Sequence, residues 1–431
     1  MKARTIGFTL ITLTSALALL AASGVPGGYK FEPQPSTPLA MYGAPTRDPK
    51  LALRASGAVY MLAIQGGHGH SRLGLAISHD GGDSFAPPVP ISAKEARVSS
   101  HGENSPSFAF GRSTEMYALW EQSTGEGMGT NLMFARSLRF GHSWDEPLRV
   151  TDKETPSTNA FSSMAVSPRG DVYAVWLDGR DRKMGPPGTS AVYLVKSADR
   201  GATFGRNVRV ATGVCPCCRP TLGFGAAGEV HVSWRHVFPG HIRDMVVATS
   251  SDGAATFSEP VRVAEDGWKI NGCPHSGASM LGKGNRLYIT WYSDGDGSNP
   301  GIRLAWSDDG AKSFSQPGIV SRDILDANHP ALALAGDERL LLTFQGRDPV
   351  KKSGWNPAGP YLVEISHEGQ ADAPQAVPGH GKAISYPAVA AGTVGRVYVA
   401  WTERGEKGQQ IHVTRGRLST KGELKQTSAA R

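Results

Sequence analysis

The sequence predicts an all-β chain, a β-propeller of seven blades with four antiparallel strands each, six blades being the alternative. Three observations carry that expectation. An octapeptide turn recurs five times, an apolar segment ending in an aromatic recurs in register with it, and the period of 53 to 58 residues is that of a propeller blade. High Gly and Pro content, 53 and 29 of 431 residues, fits many turns, and no long helical pattern is visible.

The best octapeptides are Ser78 to Phe85 and Ser197 to Phe204, each with an Asp two positions after the Ser, a Gly turn and a closing aromatic. Ser137 to Trp144 has Arg139 in place of the acid, while Ser250 to Phe257 and Ser307 to Phe314 carry Ala254 and Ala311 at the second glycine position. Asp accepts hydrogen bonds from the turn backbone, Gly tolerates positive φ, and the aromatic pins the turn to the sheet. The apolar segments end at Ile64, Trp120, Trp176, Trp234, Trp291, Phe344 and Trp401. A strand of small residues precedes each one, often opened by proline, as at Pro106, Pro220, Pro330 and Pro387. A loop, a third strand, the octapeptide and a short fourth strand follow.

This order divides the chain into a single repeat domain over residues 45–420, a segment 25–44 and a polar tail 421–431. A ring of sheets with unpaired ends exposes edge hydrogen-bonding groups, so the stretch from Tyr29 to Tyr42 is expected to supply a closing strand. Lys2 and Arg4 ahead of the apolar run Ile6 to Ala22, then Ser23-Gly24, read as a secretory signal cleaved near residues 22–24. The run is short for a bilayer span, so no stable membrane insertion is expected, and the mature chain is expected to be periplasmic or secreted. Loss of the leader lowers the formal charge from +7 to +5. The remaining basic residues form no stripe, which argues against nucleic acid and leaves an anionic small ligand as the charge-compatible partner. Nothing in the sequence indicates oligomeric state.

All four cysteines fall in two loops at equivalent places in adjacent repeats: Cys215-Pro216-Cys217-Cys218 and Cys273-Pro274-His275. In a propeller these loops share a face with those joining second and third strands, and the octapeptides lie on the opposite face. Eight histidines fall on the cysteine face: His68, His70, His101, His236, His241, His275, His329 and His380. Two readings stay open. Thiolate with imidazole suits zinc or copper, with Cys215, Cys217, Cys218, Cys273 and His275 as ligands. In an exported protein four cysteines also permit two disulfides, such as one between Cys218 and Cys273.

The octapeptides and their register resemble the Asp-box, or bacterial neuraminidase repeat, proteins, whose best-known members are sialidases. The resemblance covers nearly the whole mature chain. It implies a glycan-directed role and, in the sialidases, three arginines holding a carboxylate, a tyrosine nucleophile paired with a glutamate, and an aspartate acid/base. The Arg-Ile-Pro tripeptide usual at the start of sialidases is missing here. By loop position Arg180, Arg243 and Arg347 are the substrate-binding candidates, Tyr386 the nucleophile, and Asp178 or Glu103 the acid. Three functions follow as alternatives: an exo-α-sialidase-type hydrolase, a glycan- or protein-binding propeller without turnover, and a metal or redox protein built on the cysteine loops.

Overall fold

A computed structural model of the chain describes residues 29–420 apart from 35–36, 40–44, 68–69, 102, 126–128, 153–157, 296, 298, 336–338, 350–356, 367, 378–383, 393–394 and 406–407. The expected leader, His68, His380 and the polar tail lie outside the described residues. The fold is all-β and a β-propeller. Among the described residues the only helix is a 3-10 turn at Pro239–His241, and no helix is long and apolar enough to cross a membrane.

The repeating unit builds outward from a strand of small residues. Ala278–Lys283 pairs with Arg286–Ser293, which pairs with Gly301–Ser307, which pairs with the two-residue strand Gly318–Ile319. Small side chains suit the innermost strand because it faces the crowded axis, and each inner strand touches the next in a closed circuit. The second strand is buried along most of its length, mainly through apolar residues, because its two faces pack against the neighbouring sheets. Trp120, Trp176, Trp234, Trp291 and Trp401, with Phe344, are all fully buried there. Three of these indoles also donate to a group two residues on, Trp120 to Gln122, Trp176 to Asp178 and Trp234 to His236, so the polar edge of each ring is satisfied inside the core.

The expectation of seven separate four-stranded blades requires correction. The strands form five separate sheets of four or five strands and one continuous sheet of eight, from Asn159 to Arg262. The physical cause is local: the outer strand Val208–Val214 runs on toward the following loop and pairs through Val214 with His236, joining two four-stranded runs. Closure is made by the N-terminal segment. Tyr29–Pro33 pairs antiparallel with the long last strand Gly408–Thr420, and Thr37–Leu39 pairs with the same strand farther along.

The octapeptides are tied by one recurring hydrogen-bond set. The serine hydroxyl bonds the acid two positions on and accepts the backbone N–H four positions on, while the acid accepts both the N–H and the hydroxyl of the residue before the aromatic; this holds at Asp80, Asp199, Asp252 and Asp309. At Arg139 the acid is missing, and Ser137 Oγ alone holds the Arg139 and Gly141 amides. Ala254 and Ala311 take φ of 74° and 65° where glycine would be relaxed, and their methyl groups are buried. Turns and cysteine loops sit at opposite ends of the strands: Ser250 pairs with Val230 at one end of its neighbour, while the Cys215 amide donates to Arg235 near the other.

Hydroxyl bonds from Ser84, Thr203, Thr256 and Ser313 hold the four acids below the ordinary 3.8, Asp309 at about 2. A carboxylate depressed by folding contributes stability above its unfolded pKa and loses it as pH falls through the folded value. The urea midpoint is therefore expected to drop as pH is lowered from about 4 to about 2. Changing all four acids to Asn is expected to lower the midpoint at neutral pH and flatten that drop; an unchanged acid limb would show that the turns do not contribute.

Candidate functional site

The inner strands do not run straight to the axis. Four of them carry a register shift against their partner, and within each shift lies a non-glycine residue with positive φ: Asp48 at 56°, Phe161 at 55°, His329 at 55° and Tyr386 at 50°. Such a conformation costs about 1–2 kcal/mol for an L-residue and collects at working sites. At Asp48, His329 and Tyr386 the next residue is proline, which has no N–H for the bulge to leave unpaired. A bulge re-aims its side chain. His329 and Tyr386 accordingly line a cavity of about 160 Å³, together with Lys50, Glu103, Ser105, Arg219 and the starts of the inner strands.

Glu103 is the hub of this cavity. It is 4% exposed and accepts from the Gly277 amide and, at 3.4 Å, the Arg219 amide, while its other oxygen is 3.0 Å from His329 Nδ1. Burial alone would raise its pKa, but the hydrogen bond and charge of His329, the Arg219 charge and the Gly277 amide outweigh it and hold the carboxyl below its ordinary range. The His329 ring lies 4.5 Å from the Tyr386 ring. Burial, then the charges of Glu103 and Asp48, push the Tyr386 phenol up to about 12. Lys50 is lowered to about 7, first by burial and then by Arg219. Asp48 is raised by burial against the pull of Ser100 and the nearby cations. Gly277 is required for the close approach, because a Cβ there would sit 2.4 Å from the Arg219 carbonyl oxygen and 3.0 Å from Glu103 Oε2.

The two cysteine loops flank this hub and contribute its Arg219 and Gly277 amides. Cys215, Cys217 and Cys218 are buried, Cys273 is exposed, and none is in a disulfide. Cys215 Sγ lies 3.3 Å from Cys218 Sγ and 3.7 Å from Cys217 Sγ. The sulfur that meets the second loop belongs to Cys217, whose Sγ lies within 4.8 Å of donor atoms of Cys273 and His275. The Cys218 to Cys273 bridge offered as one possible disulfide is not formed, and Cys217 is the cysteine of the first loop that approaches Cys273. Hydrogen bonding with Cys217 and Cys218, together with Arg243, draws Cys215 down; burial and then Cys215 push Cys218 up.

The three arginines expected to converge are placed apart, each with its own partners. Arg180 bonds Asp178, Asp152 and Asn207 and stacks on Tyr193, 4.4 Å from the ring centroid. Arg243 donates to the Ile270 carbonyl and to Cys215 Sγ, and Arg347 pairs with Asp326. None of the three lines the axial cavity. Asp178 is fully buried, accepting from the Trp176 indole and the Arg180 backbone, and does not reach the cavity either. Lys50 and Arg219, the cavity's cations, escaped the sequence reading. Their signal was the proline beside them, since Pro49 and Pro220 occupy the positions of Pro330 and Pro387. A larger cavity of about 580 Å³ beside the first sheet is lined by Gln65, Arg72, Pro88, Lys94 and Glu95, but Lys94 and Glu95 are exposed and it holds no buried ionisable group.

No protein-family model matches the sequence, and no curated protein matches it. Solved structures do. One is a protein of unknown function from Dyadobacter fermentans, 14% identical, covering 76% of this chain and 97% of that chain with a TM-score of 0.52. Another is the polysaccharide lyase Uly1, 12% identical, covering 86% and 90%, also at 0.52. The Hadza microbial sialidase Hz136, 16% identical over 70% of this chain and 63% of that chain, has a TM-score of 0.49 and adds no weight. At these identities the likeness is one of fold alone.

The lowered Lys50 pKa gives a stability test. Between about 7 and the ordinary 10.5 the unfolded chain holds a proton at this lysine that the folded chain does not, so stability rises with pH across that window. Lys50→Met is expected to remove that rise and to raise the thermal midpoint near pH 7. A wild-type midpoint that is flat or falls over the same window would contradict the assignment.

Proposed function

We propose that the chain is a glycan-directed β-propeller whose axial cavity takes the end residue of an anionic sugar chain, acting as an exo-glycosidase of the sialidase type. In this reading the ring has seven blades, the eight-stranded sheet counting as two. The observation that carries it is the meeting of Glu103, from the second repeat, and Tyr386, from the last, at one cavity with Lys50 and Arg219 beside them. A cavity of about 160 Å³ is below the ~300–1,000 Å³ of common ligand pockets, which suits one terminal residue and not the middle of a polymer.

The chemistry follows from the charges. Lys50 and Arg219 meet the substrate anion. A neutral phenol at Tyr386 attacks the anomeric carbon without the repulsion that a carboxylate nucleophile would meet, and Glu103, kept ionised, takes its proton. His329 holds the Glu103 carboxylate in place. Asp48, raised by burial and bonded to Ser100, does not line the cavity, so the leaving group takes its proton from solvent water.

Binding without turnover is the second reading, and one observation favours it. Glu103 already engages two amides and His329, leaving little of its acceptor capacity for Tyr386.

The two readings part in one assay series. Hydrolysis of a fluorogenic sialoside by the full chain, reduced about 10²–10⁴-fold in kcat/KM by Glu103→Gln and lost in Tyr386→Phe, is the expected outcome. Sialoside binding that depends on Arg219, with no turnover by the wild type, would select the second reading. Neither binding nor turnover would overturn both.

A further inference from the structure

Two arginines behind the cysteine loops are buried without a carboxylate. Arg235 is fully buried, and its guanidinium donates only to the carbonyls of Ser276, Arg243 and Tyr292 while lying 4.8 Å from the Trp268 ring centroid. Arg243 is 7% exposed and donates to the Ile270 carbonyl and, at 3.0 Å, to Cys215 Sγ. Neither forms an ion pair with Asp or Glu among the described residues. The nearby Asp244 is engaged by Arg262 and by the Gly267 and Trp268 amides. Guanidinium does not give up its proton in a protein, and a buried charge is normally matched by an opposite one. The groups on hand to supply that opposite charge are the three cysteine sulfurs, of which Cys215 bonds Arg243 and the other two pack against Cys215.

Their geometry fits a shared ion. Four-coordinate thiolates around a metal at about 2.3 Å stand about 3.8 Å apart, and three in a plane slightly farther. The Cys215 sulfur is 3.7 Å from Cys217, at that spacing, and 3.3 Å from Cys218, about half an ångström inside it. The donor atoms of Cys215, Cys217 and Cys218 all lie within 4.8 Å of one another, and no fourth His, Cys or carboxylate joins this group among the described residues. An all-sulfur set of three selects soft ions of low coordination number, cuprous copper above the borderline zinc that prefers four ligands. Charge points the same way. Three thiolates against two guanidiniums leave a single negative charge, which a monovalent ion neutralises and a divalent one overshoots.

We propose that Cys215, Cys217 and Cys218 form a site for one cuprous ion, with Arg243 as a positioning residue on the Cys215 sulfur. Binding to the reduced protein displaces whatever protons the three sulfurs still hold. Cys217 also stands within 4.8 Å of the exposed Cys273 and of His275, which places a second donor group between the triad and solvent.

The test uses the reduced full chain under nitrogen, titrated with copper(I) supplied as its acetonitrile complex in competition with a chromogenic cuprous chelator. One equivalent bound, with three sulfur neighbours by X-ray absorption, is the expected result. Arg243→Leu is expected to weaken binding roughly 10–100-fold, as loss of a partner to a ligand does. Cys273→Ser should leave one equivalent bound, whereas Cys217→Ser should not retain it through desalting. The wild-type titration stands whether or not a variant folds, which circular dichroism checks. No copper taken up, zinc bound in a form that copper(I) does not displace, or loss of binding in Cys273→Ser equal to that in Cys217→Ser would each overturn the proposal.

Discussion

Closure of the ring is the constraint on which the rest depends. Every inner strand packs against two neighbours, so the axial cavity has its shape only if the circuit is complete. The seam is the antiparallel pairing of Tyr29–Pro33 with the last strand, and without it Gly408–Thr420 would present an open edge. The seam is packed as well as hydrogen-bonded. Phe31, 4% exposed, sits among Leu341, Val399 and Trp401, and its amide donates to Gln375 on the preceding sheet. Gly416 lets the two strands come together, since a Cβ there would lie 2.4 Å from the Glu32 carbonyl oxygen.

A closed ring sorts its loops onto two rims, and the chain uses the rims differently. On one, each octapeptide turn builds its core hydrogen bonds within eight residues, and side chains such as Arg415 and Arg136 only brace its outer carbonyls. On the other, the residues that matter come from distant repeats and meet only because inner strands converge. Glu103, Gly277, His329 and Tyr386 are separated by tens to hundreds of residues, yet they bond or stack around a single carboxylate.

That contrast explains what could be read in advance. Apolar segments that end in an aromatic, and the serine, acid and glycine of each turn, are local signals, so the propeller, the buried tryptophans and the opposed placement of thiols and turns were legible from residue order. Glu103 and Tyr386 were named by loop position. The three arginines do not meet at the axial cavity, because residue order does not show which side chains bond, such as Arg180 with Asp178, or that Arg243 turns inward toward sulfur. The continuity of the eight-stranded sheet was hidden for a similar reason: it rests on one pairing, Val214 with His236, that carries no pattern of its own. Positive φ at Asp48, His329 and Tyr386 was also invisible, although each precedes a proline.

The segment Cys218-Arg219 and the segment from Cys273 to Gly277 each belong to two neighbourhoods at once, sulfur on one side and the Glu103 carboxylate on the other. Amides that are within two residues of a thiol or imidazole ligand donor cannot shift independently of it. A displacement of either loop that moved these amides would change the donors of the carboxylate, and by thermodynamic reciprocity any such coupling would act equally from the axis to the thiols.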